Sequence, residues 1–158
     1  MVSTAPTLVD PRYNIAGTGK QIVLIWGGTN DIINGGTPAA TYANAVQYGM
    51  DRKALGWKVI FYTMLPRGTI PGIETNRQTL NALLLADFPT PTAFTNIYTG
   101  AAWADVLVDV GADATIGVPG SQFNLTYYSP DQIHLTNAGY TVVAGYAKQA
   151  LSVVVATP

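Results

Sequence analysis

The chain has 158 residues, 48% of them hydrophobic and only 11% charged, which supplies enough apolar material for one packed core and rules out a disordered tail. Lys plus Arg number 8 against 9 Asp plus Glu, so a net charge of -1 gives no electrostatic basis for nucleic acid or an anionic membrane as a partner. Cysteine is absent, which excludes a disulfide framework, a thiol nucleophile and a Cys-ligated zinc site, and no apolar run approaches the ~18 residues of a transmembrane helix.

In chain order, residues 1–20 read as loop, punctuated by Pro6, Pro11, Gly17 and Gly19, with no complete signal peptide. "QIVLIW", residues 21–26, is a continuous apolar, β-branched run, the pattern of a strand covered on both faces. Thr37-Pro38 then reads as an N-cap and first helical position, opening a helix that runs to about Leu55, with Gly56 at its C′ position. Tyr42, Val46, Met50 and Ala54 recur every four residues and predict its buried face.

"WKVIFYTML", residues 57–65, is a second strand, ended by Pro66. "IETNRQTLNALLLADF" predicts a second long helix with Ile73, Arg77, Leu80 and Leu84 on one side. "TNIYTG" is a short third strand, and the less regular stretch over residues 100–130 contains one candidate helical turn at "AAWADVL". Thr136 caps a last helix, "NAGYTVVAGYAKQALSVV". Strands alternating with helices, without internal repeat or dividing linker, predict a single α/β domain built on a parallel sheet.

Two polar clusters fall where ligands of parallel sheets bind, beyond the carboxyl ends of strands. The first is "GGTND", residues 27–31, directly after the first strand. Gly27 and Gly28 permit tight turning, and the Asn30 amide could donate to a developing negative charge, or Asn30 and Asp31 could form an ordinary Asx-turn. The second is "SPDQIHLTNAGY", which holds the only histidine, His134, three residues after Asp131. At that spacing the carboxylate can fold back onto the imidazole and fix its tautomer, as a general base requires, or it can simply cap a turn.

Together, "GGTND" after an apolar strand and "DQIHLTNAGY" entering the C-terminal helix resemble two signature blocks of the SGNH hydrolases, the GDSL-type esterases and lipases. "KVIFYTMLPR" is similar to the family's next strand with its Pro-containing end, and the resemblance extends from about Asp10 onward. It implies a three-layer flavodoxin-like fold and ester hydrolysis by a serine nucleophile. It assigns His134 as general base, Asp131 as the residue orienting it, and Asn30 as oxyanion-hole donor, with Gly28 in the same block.

The family's Gly-Asp-Ser nucleophile block should precede "IVLIW", and the 21 residues before Ile22 contain no such motif. Ser3 is the only serine there, and Ser121 and Ser129 lie near the Asp-His stretch without matching the family position. "AGTGKQ" has the wrong spacing for a phosphate loop, and one His with scattered carboxylates makes no metal ligand set, so no cofactor or metal is expected. The chain therefore resembles the C-terminal two-thirds of the family, its N-terminal strands missing. The expectations are weak or absent esterase activity on a small-molecule, carbohydrate or lipid ester, and self-association through the exposed edge of "IVLIW". The alternative is a non-catalytic ligand-binding or assembly module. Its low charge and many Thr, Gly and Ala residues resemble those of secreted bacterial enzymes.

Overall fold

The run "KVIFY" becomes a buried strand because its side chains alternate between two apolar layers. In the computed structural model, which describes residues 21–68, 70 and 72–156, this strand is β2, Lys58–Tyr62. Before it come β1 (Ile22–Ile25), a short helix α1 (Thr29–Ile33) and the long α2 (Pro38–Ala54); after it come α3 (Ile73–Ala86), β3 (Thr90–Pro91), β4 (Ile97–Thr99), β5 (Val106–Val108) and α4 (Asn137–Ala156). The expected loop over residues 1–20, with Ser3, lies outside the described residues.

The five strands form one sheet in the order β1-β2-β5-β4-β3. β1, β2 and β5 are parallel, with Ile25 opposite Phe61 and Phe61 opposite Leu107, whereas β4 and β3 run antiparallel. Val59, Phe61 and Leu107 pack on one face with Leu80 and Leu84 of α3 and Tyr42 and Val46 of α2. Ile60, Tyr62, Val106 and Val108 pack on the other with Ala150 and Val154 of α4. The result is a three-layer α/β arrangement on a mixed sheet, not the wholly parallel sheet expected.

The helix punctuation follows the sequence. The Thr37 side chain accepts a hydrogen bond from Ala40 N–H at 3.2 Å, and Gly56 takes a left-handed φ of 83° just past the end of α2. Ile73, Arg77, Leu80 and Leu84 all face inward on α3. Thr136 precedes α4 and accepts from Gly139 N–H at 3.3 Å.

Three expectations need correction. Met50 is 53% exposed and Ala54 is exposed too; the buried positions of α2 are Thr41, Gly49 and Arg52, because Gly49 lets the helix seat against Trp103, whose carbonyl would lie 2.5 Å from any Cβ there. "AAWADVL" is no helical turn, since its end enters β5, a strand between β2 and β4. The described residues do not cover "IVLIW" on both faces either: among them β1 stands at one end of the sheet, and Leu24 and Trp26 are 45% and 41% exposed.

Candidate functional site at the strand ends

The parallel strands β1 and β2 deliver two fixed segments to one end of the sheet. After β1, Gly28 adopts φ 101°, a left-handed conformation that glycine tolerates, and α1 opens directly behind it. After β2, residues 63–66 are all buried. Asn81 receives Met64 N–H on its side-chain oxygen at 2.8 Å and returns its own N–H to Met64 O at 2.9 Å. Arg77 donates to the same carbonyl at 3.0 Å while its other guanidinium nitrogens pair with Glu74. Thr63 donates its hydroxyl to Asp109 at 2.8 Å and accepts Gly111 N–H at the same distance. Burial pushes the Asp109 carboxyl up despite these bonds. This clamp, invisible in the linear sequence, holds the floor of the site.

The Asp131–His134 turn comes from the segment before α4. Tyr128 and Leu135 form an antiparallel bridge, Ser129 N–H donates to His134 O at 2.8 Å, and Gln132 sits at a left-handed φ of 59° at the tip. Gly68 N–H donates to Gln132 O at 2.8 Å, which docks the turn against the end of the Met64–Arg67 segment. The spacing read from sequence therefore closes in both ways proposed for it. Asp131 Oδ1 caps the turn, accepting from Ile133 N–H at 2.9 Å and His134 N–H at 3.0 Å. Asp131 Oδ2 lies 2.6 Å from His134 Nδ1.

The His134 ring, followed by the two backbone N–H donors, brings the Asp131 carboxyl down from 3.8 to about 2. Its stabilising contribution is thus present above the unfolded value and lost only as pH falls through about 2. An ionised carboxylate can only accept, so Nδ1 carries the proton and Nε2 is the nitrogen left with a lone pair. The imidazole is 70% exposed, so that lone pair is open to a ligand.

His134 lines a groove of about 180 Å³ together with Trp26, Thr29, Pro66, Arg67 and Tyr140. Trp26 is pinned there by donating Nε1–H to Thr63 O at 3.1 Å and by a ring contact with Tyr62. Asn30 is the exposed neighbour of Thr29 in α1 and is not among the groove-lining residues. Gly28 and Asp31 line a different, more apolar hollow of about 260 Å³ under β1, with Ile25, Thr41, Phe61 and Leu80. The larger hollow is lined by no histidine, and the Asp131–His134 pair lies at the smaller groove.

Neither Ser121, which is buried, nor Ser129 has a side-chain hydrogen bond to His134. Among the described residues no group of three or more His, Asp or Glu could hold a metal ion. No helix among them is long and apolar enough to cross a membrane. Trp26, Arg67 and Tyr140 were not singled out by sequence; only Trp26, at the end of an apolar strand, carried a signal of position. No family model matches the chain, and no curated protein or solved structure matches it either.

Proposed function

We propose that the chain is an ester hydrolase of the SGNH type working slowly at the His134 groove. The observation that carries this reading is the 2.6 Å contact between His134 Nδ1 and Asp131 Oδ2, with the ring exposed in a groove at the carboxyl ends of β1 and β2. In the proposed reaction, Nε2 takes a proton from a water, whose oxygen attacks the ester carbonyl. The tetrahedral intermediate collapses and expels the alcohol, which takes the proton back from Nε2; Asn30, which does not line the groove, is given no part in this step. Asp131 keeps the ring in the required tautomer and stabilises the imidazolium.

A substitute serine could take the place of water, but no serine side chain bonds His134 among the described residues, which favours the slow route. The same observation supports the second reading, a non-catalytic module that binds ligands. Hydrolysis of a short-chain nitrophenyl ester separates the two. Turnover slow but above buffer, without phosphonate labelling of any serine, is expected. Turnover indistinguishable from buffer would leave the ligand-binding reading standing.

The proposal includes self-association. β1 ends the sheet among the described residues, and Leu24 and Trp26 are exposed beside it. A strand edge of this kind is a template for a second strand, and each Å² of apolar surface covered contributes ~25 cal/mol. Light scattering at micromolar protein is expected to give the mass of a dimer; a monomer mass would contradict it.

A further inference from the structure

The groove that holds His134 also holds a cation with no ion-pair partner among the described residues. Arg67 lies between two anchored points, the clamped Met64 backbone and Gly68, whose N–H is tied to Gln132 O at 2.8 Å. Its position beside the Asp131–His134 turn is therefore set by backbone contacts rather than by its own side chain. Its Nε is buried without a hydrogen-bond partner, and no carboxylate lies within ion-pair distance of the guanidinium among the described residues. Arg77, by contrast, is fully engaged by Glu74 and Met64 O.

The nearest acid on the docked turn, Asp131, is already committed. One of its oxygens accepts two backbone N–H groups and the other faces the His134 ring. A buried guanidinium N–H without an acceptor is costly, and a planar fork of donors matches a carboxylate best. Trp26, Leu65, Pro66 and Tyr140 line the groove beside the cation, together with the polar Thr29 and His134. A cation without a carboxylate partner, set among apolar and polar side chains, suits a short ligand that ends in an anion.

The geometry points to Arg67 as a specificity-determining residue that selects esters bearing a second, free carboxylate. This rests on the hydrolase reading for the word ester, but the binding preference can be measured without turnover. His134 is the only histidine in the chain, so its ring resonances report occupancy of the groove without overlap from another imidazole.

The test compares monomethyl succinate with methyl 4-methylpentanoate, a neutral ester of the same shape, by titration followed at the His134 ring. The succinate half-ester is expected to bind about tenfold more tightly, a gap that shrinks as salt rises. Arg67→Gln should abolish the gap. Arg67→Lys, which keeps the charge and loses the fork, should retain a preference of roughly two- to threefold. Equal affinity in the wild type, no binding of either ester, or a gap that survives Arg67→Gln would each overturn the proposal. If the gap and its loss in Arg67→Gln both appear while neither ester is turned over, the carboxylate site stands and the hydrolase reading falls.

Discussion

Gly117→Ala is expected to destabilise the protein by at least about 3 kcal/mol. A Cβ at Gly117 would lie 2.0 Å from Val110 O, 2.7 Å from Gly111 C and 2.8 Å from Asp113 N. All three are backbone atoms, so no side chain can swing aside. The turn they form is organised around Asp113, whose carboxylate accepts Thr115 and Ile116 N–H and whose carbonyl accepts Gly117 and Val118 N–H. Ile116 O in turn accepts the buried Tyr128 hydroxyl at 2.6 Å, and Tyr128 bridges to Leu135, one residue beyond His134. Forcing the turn open therefore loosens the segment that carries the base.

Thermal unfolding checks this, with a fall of roughly 6–12 °C expected for a chain of this size. Gly145→Ala, in the middle of α4 with nothing within 4 Å of the new Cβ, is the control and should gain about 0.5–1 kcal/mol. A Gly117→Ala protein that melts like the wild type would show that the turn is not packed as described.

His134→Ala is expected to lower ester turnover by about 10²–10⁴, the usual worth of a positioned general base. The ring is 70% exposed, so stability should change by no more than about 0.5 kcal/mol and the loss can be read as chemistry. Asp131→Asn should be nearly as damaging for a different reason. Its remaining oxygen can still cap the turn, but an amide N–H facing Nδ1 would hold the ring in the opposite tautomer, with the proton on Nε2 and no base in the groove. Because the Asp131 carboxyl is ionised above about pH 2, it does not titrate in the range of an ester assay. An acid limb between pH 4 and 6 that Asp131→Asn alone removes would count against this assignment.

Elements whose signal is local were legible in the sequence. Thr37-Pro38, Gly56 and Thr136 marked helix ends because capping uses neighbouring residues, and the α3 stripe of Ile73, Arg77, Leu80 and Leu84 matched its buried face. β5 was not legible, because Val106–Val108 is only a short apolar run in an Ala- and Asp-rich context. Its antiparallel pairing with β4 follows from chain length instead. Residues 100–105 are too few for a crossover, which takes about a dozen residues, so the chain can only turn back. Met50 misled because a four-residue period drifts around the helix, while the face is set by Gly49 meeting Trp103.

At the site, Asp131 and His134 could be paired from their spacing alone. The Arg77–Asn81–Met64 clamp and the union of Trp26, Arg67 and Tyr140 could not, since they join segments from β1, β2, α3 and α4 that only the folded sheet brings together.

The most direct test of His134 as the base in this groove is chemical rescue. Turnover of a nitrophenyl ester is compared in wild type and His134→Ala, with and without added imidazole, after subtracting the protein-free imidazole rate. With His134 as the base, His134→Ala is slower and imidazole restores a saturable, protein-dependent part of the rate, since the site left by the exposed ring is open to solvent. Equal turnover in the two proteins, unaffected by imidazole, would contradict it.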